Sequence, residues 1–192
     1  MKTVIQLVLL VAALVLAYFI YDGVQSKIEF KKEAQKRREV VQERLLKVAE
    51  AQKEFKKEKG RYAANYPELF HFLENDSLTI IKAIGTVPDT LTEKEAVEQG
   101  IVVRDTSMVP AFTVFSEGFD IRSLEKVPYS KGATFKMKAG MIEKNKVNVS
   151  VFEAYTTLDK VYTGLDTKGE AVDLDDRIQV GSMTEPITSG NW

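Results

Sequence analysis

The sequence predicts an α+β protein in which one long N-terminal helix precedes an antiparallel β-sheet. Three observations predict it. Residues 3–21 form an apolar run without a charge. Residues 24–59 then continue without proline or glycine, in Lys, Glu, Gln, Arg and Ala, all good helix formers. Much later, Ala133–Ala139 and Val147–Tyr155 each alternate apolar and polar residues with a period of two. Helices that come first and strands that follow give an α+β layout rather than an alternating α/β one.

The first element is an anchor, residues 1–23. A helix crosses the hydrocarbon core with about 20 mostly apolar residues, and the run has that length. Tyr18 and Tyr21 sit at its end, where amphipathic rings favour the interface. A cleaved signal peptide is the competing reading, with Val15-Leu16-Ala17 as the processing site. Tyr18–Tyr21 prolongs the apolar run past that site, which favours an uncleaved span. Only Lys2 and the amino terminus precede the run, whereas Lys27, Lys31, Lys32, Lys36, Arg37 and Arg38 follow it. Counted alone, those cations place the C-terminal body in the cytoplasm.

The second element is a helical stalk, residues 24–60. Ala34, Val41, Val48 and Phe55 recur every seven residues, and Leu45 and Gln52 fill the intervening row. This stripe either packs into the chain's own core or forms a coiled coil with a partner. Under the second reading Val41, Leu45, Val48 and Phe55 are partner-binding residues. After the stalk Tyr62, Tyr66, Phe70 and Phe72 form an aromatic cluster that either packs into the core or stays exposed as a patch, in which case Tyr62 and Tyr66 join the partner-binding residues. Arg38 and Gln52 interrupt the seam. Gly23 is the expected hinge, and Gly60 the expected C-terminal cap behind a basic last turn.

The body, residues 61–192, opens with a short helix at Tyr66-Pro67-Glu68, with proline in its first turn. A strand is expected over Leu78–Ile84. Thr92-Glu93-Lys94-Glu95 reads as a capping box for a helix ending at Gly100. Ile101–Asp105 reads as a strand. Lys144-Asn145-Lys146 is the turn between the two alternating runs, and Lys160–Tyr162 and Arg177–Val180 read as shorter strands.

Ala51-Gln52, Phe55, Gly60-Arg61-Tyr62 and then Tyr66-Pro67-Glu68-Leu69 together resemble the stalk end of type IV pilins and type II secretion pseudopilins. The resemblance covers about the first 70 residues. It implies a pilin-like fold, an anchored helix packed on an antiparallel sheet, with the body outside the cytoplasm. Gln6 stands where the mature family carries an acidic residue, and no basic leader ending in glycine precedes the run, so the resemblance does not extend to polymerisation. Over its whole length the chain also resembles single-pass bacterial membrane proteins with the same order of anchor, helix and sheet.

Charge and composition narrow the chemistry. The stalk carries 12 Lys/Arg against 7 Asp/Glu, and residues 60–192 carry 14 against 20. The basic part lies next to the membrane, where anionic lipid headgroups can meet it. The acidic body argues against nucleic-acid binding. There is no cysteine, which excludes disulfides, thiolate zinc sites and cysteine nucleophiles. His71 is the one histidine, set among Phe70, Phe72 and Leu73 as a packing or surface residue. No Gly-x-Ser-x-Gly, P-loop or Gly-x-Gly-x-x-Gly pattern occurs. The segment with Asp166, Glu170, Asp173 and Asp175 near Gly169 reads either as a solvated turn or as a set of candidate metal ligands, carboxylates of the kind that Ca²⁺ takes. Major pseudopilins carry a Ca²⁺ loop late in the chain, although here Lys168 lies inside the segment.

The sequence therefore leads to a non-enzymatic structural or assembly subunit of a bacterial envelope complex, held in the inner membrane by one span. Its expected partners are membrane lipid and other envelope proteins or a second copy through the stalk. A tethered ligand- or peptide-binding sensor is the alternative, and a carboxylate-based hydrolase a third.

Overall fold

The computed structural model describes residues 2–84, 92, 95, 103–167 and 169–192. Helix α1 runs without interruption from Lys2 to Lys59. At about 1.5 Å per residue it is about 87 Å long. The expected hinge at Gly23 is absent: the helix passes straight through it, and no atom crowds the position. Glycine weakens a helix but does not break it when the backbone stays in the α region. At the far end Gly60 adopts φ 74°, and its N–H reaches the Lys56 carbonyl at 2.8 Å. That left-handed residue closes α1 as the sequence predicts.

Helix α2, Tyr66–Asn75, starts where Asn65 accepts a hydrogen bond from the Glu68 N–H at 3.0 Å. Strand β1, Ser77–Ile84, pairs antiparallel with β2, Val103–Pro110, in a two-stranded ribbon. The strand expected from Ile101 thus appears as β2, described from Val103 and extending to Pro110. Of the expected 92–100 helix, the Thr92 and Glu95 capping bonds are present, the Glu95 carboxylate accepting from both the Thr92 N–H and hydroxyl. The rest of that segment lies outside the described residues.

Strands β3 (Lys136–Lys144), β4 (Val147–Thr157) and β5 (Arg177–Gly181) form the second, antiparallel sheet in that order. Asn145 and Lys146 have φ 52° and 63°, so the β3–β4 turn has two residues in the left-handed region. Its register, Lys144 opposite Val147 and Lys136 opposite Tyr155, keeps Met137, Ala139, Phe152 and Ala154 on the core face. Two expectations are corrected here. Residues 133–135 precede the strand, with Thr134 in an isolated bridge to Lys126. Residues 160–162 are not a strand, because Leu158–Val161 form the helical turn α3. Leu158 and Val161, three apart, both enter the core only if the backbone coils.

The core lies between the C-terminal half of α1, helix α2 and the β3–β4–β5 sheet. Val41, Leu45, Val48 and Ala51 are fully buried. Phe55 meets Phe72 edge-on at 5.0 Å, and Tyr62 lies 4.7 Å from Phe152. Burying each Leu or Val side chain contributes about 1.5–3 kcal/mol, so this stripe binds the helix to the body. The opposite end of α1 is bare. An 18-residue window there has a mean hydropathy of 2.6 and no buried residue. One helix is therefore both an exposed apolar span, compatible with crossing a membrane, and the central element of the core.

Candidate functional site

Docking of the body on the stalk begins close to the apolar segment. Phe30 packs edge-on against Tyr162 at 5.8 Å, and Ala34 is buried. Phe30 lies nine residues beyond Tyr21, or about 14 Å along the helix. Arg37 fastens this end. Its guanidinium donates to the Val161 carbonyl at 3.3 Å and the Thr163 carbonyl at 2.9 Å, pairs with Glu33 at 3.0 Å, and lies 5.0 Å from the Tyr129 ring centre. Tyr129 itself sits at φ 62°, a left-handed conformation that a bulky residue rarely adopts. The sequence gives no sign of Arg37's role, since the two carbonyls it binds lie more than 120 residues away.

The other end is fastened by a buried amide. Gln52 is fully buried; its Nε2 donates to the Ala63 carbonyl at 3.0 Å, and its Oε1 accepts from the Ala63 N–H at 2.8 Å. The polar residue that interrupts the heptad seam therefore serves the chain reversal after α1. Beside it Glu68 accepts from the Ala64 N–H at 2.7 Å and pairs with Arg61. The Arg61 hydrogen bond holds the Glu68 carboxyl below its usual range. Tyr66 is buried with its hydroxyl unpartnered, and burial, reinforced by the Glu125 charge, pushes its ionisation up.

These contacts revise the partner-binding residues. Val41, Leu45, Val48, Phe55, Tyr62 and Tyr66 are all buried against the chain's own body. The seven-residue repeat is satisfied within the protomer, and none of the six offers surface to a coiled-coil partner. The large apolar residues left exposed outside the span include Met108 on β2, Phe112 just after that strand, and Met141 on β3 near the β3–β4 turn.

The structure does not gather the four acidic candidates. Asp166 and Glu170 line a notch against Ser26, Glu29 and Glu33 of the stalk, next to the apolar segment. The Asp173 carboxylate accepts from the Asp175 N–H at 3.0 Å, forming a local turn. Asp175 faces a different groove. Among the described residues no three carboxylate or histidine groups are placed to share a metal ion. His71 is exposed.

That other groove has a volume of about 540 Å³. Arg38 and Gln42 of α1 form one wall; Asp175, Asp176 and Arg177 form the facing one. The C-terminal tail lines it as well. Asn191 donates to the Arg177 carbonyl at 2.8 Å and accepts from the Gln179 N–H at 3.0 Å. This fixes Trp192 at the rim, its indole lying across Gly190. The sequence does not reveal where Trp192 sits, because the tail's partners are set by its pairing with β5 rather than by any local pattern.

Comparison with known protein families, curated proteins and solved structures returned no match. Functional reading therefore rests on the geometry.

Proposed function

We propose that the chain is a membrane-anchored, non-enzymatic structural or assembly subunit of a bacterial envelope complex. One observation carries the reading: the exposed apolar span and the buried spine of the body are the same helix, Lys2–Lys59. A body joined to its anchor in this way is held at a set height and angle. That property suits a part that must present a surface to neighbours, and it offers little to an enzyme that meets diffusing substrate. The resemblance of residues 51–69 to pilin and pseudopilin stalks supports a body on the extracytoplasmic side.

Burial of the heptad stripe shifts where partners are met. In this reading contacts run through the membrane span and through exposed body residues such as Met108, Phe112 and Met141. Photo-crosslinking in intact membranes tests it. A crosslinker at Met141 is expected to capture another envelope protein or a second copy, whereas one at Val48 captures only the chain itself. Recovery of a free monomer from every exposed position contradicts the proposal.

A further inference from the structure

We propose that the groove between α1 and the C-terminal tail binds a small zwitterion of the amino-acid or short-peptide class. The ligand's carboxylate meets Arg38 and its ammonium meets Asp175 and Asp176. This goes beyond the structural-subunit reading and does not rest on it.

Arg38 poses the question. Its Nε is shielded from solvent and has no hydrogen-bond partner. Its guanidinium lies over the Tyr162 ring, 5.8 Å from the ring centre. The terminal guanidinium nitrogens, which the groove does reach, make no hydrogen bond or ion pair within the protein among the described residues. The planar guanidinium fork matches a carboxylate. Across the groove Asp175 and Asp176 are exposed and carry no side-chain ion pair among the described residues. The groove's other cation, Arg177, is turned onto Tyr155, 4.6 Å from the ring centre.

The Arg38, Asp175 and Asp176 charges that line the two walls thus have no ionic partner within the protein among the described residues. A lone anion meets repulsion from the aspartates, and a lone cation meets repulsion from Arg38. A molecule carrying both charges satisfies both walls. The cavity lies within the range of roughly 300–1,000 Å³ typical of small-molecule sites. Trp192 supplies an apolar wall for a side chain or peptide plane, and its attachment through Asn191 makes the rim part of the fold.

Trp192 is the chain's one tryptophan, so its fluorescence reads the groove directly. Full-length protein in detergent micelles is titrated with glycylglycine, N-acetylglycine and glycinamide, with calorimetry as a second readout. Glycylglycine is expected to give a saturable change, with the two singly charged probes at least roughly tenfold weaker. Glycine and triglycine arms then separate a free amino acid from a peptide. Arg38→Gln, and Asp175→Asn with Asp176→Asn, are each expected to weaken glycylglycine at least tenfold while the melting curve stays cooperative. Arg38→Lys, which keeps the charge and loses the fork, is expected to fall between. The proposal is overturned by no saturable signal in either readout, by equal response of wild type and Arg38→Gln, or by N-acetylglycine binding as tightly as glycylglycine.

Discussion

The side-chain amide of Gln52 and the backbone of Ala63 hold each other through two hydrogen bonds, at 2.8 and 3.0 Å, inside the core. This pair fixes the turn by which the chain leaves α1 and starts the body. Gln52→Leu strands the Ala63 N–H and carbonyl in a dry site. Each orphaned group costs about 1–3 kcal/mol, so a loss of about 2–6 kcal/mol is expected in urea unfolding. Gln52→Glu keeps the acceptor but loses the donor, and is expected to be destabilising too.

Arg37 plays the corresponding role at the membrane-proximal end. Arg37→Gln removes charged hydrogen bonds to the Val161 and Thr163 carbonyls and the ring contact with Tyr129. A loss of about 1.5–3 kcal/mol is expected, since bonds from a charged donor fall in that range. Hydrogen exchange is the sharper measurement. Amides around residues 158–165 are expected to exchange faster, with α2 unchanged.

Two glycines separate a tolerated site from a required one. Gly23 lies in a helix with open space around it, so Gly23→Ala is expected to stabilise α1 by about 0.5–1 kcal/mol. Gly181 has φ 75°, and a Cβ there falls 2.2 Å from the Phe152 carbonyl oxygen. Gly181→Ala combines a left-handed penalty with a backbone clash, and is expected to cost more than about 2 kcal/mol or to abolish folding. Thermal melts of the two variants check both.

Glu68 predicts a pH dependence. Its carboxyl is held below its usual range chiefly by the Arg61 hydrogen bond. A group depressed in the folded state adds stability that is present above its unfolded pKa, about 4.3. That stability is lost as pH falls through the lower, folded value. Glu68→Gln is therefore expected to be less stable than wild type at pH 7, with the difference closing under acid conditions. Melting curves from pH 7 to pH 2 measure it.

What was legible in the sequence was local and periodic. Ala34, Val41, Val48 and Phe55 repeat every seven residues, and that pattern marks the buried stripe because helix geometry brings such positions to one face. The β3–β4 hairpin was legible from its period of two, and Gly60 from its place behind Lys59. What failed depended on tertiary contacts. Gln52 reads as a flaw in the seam until Ala63 stands beside it. The apolar Val161 fits a strand as well as a helical turn until Leu158 is seen entering the same core. Arg37 and Arg38, adjacent in sequence, look like one basic patch. The fold turns one into a clasp and leaves the other facing a groove, a division set by residues 158–192.

The central claim is an uncleaved span joined rigidly to an extracytoplasmic body. The chain has no cysteine, so single cysteines can be placed on a clean background. Full-length protein carrying Val11→Cys, Lys32→Cys or Met141→Cys is expressed in bacteria and exposed to a membrane-impermeant maleimide before and after lysis. The account predicts that Lys32→Cys and Met141→Cys label in intact spheroplasts, that Val11→Cys labels only once detergent is added, and that all three stay in the membrane fraction. Labelling of Met141→Cys only after lysis, or release of the body into the soluble fraction, contradicts it.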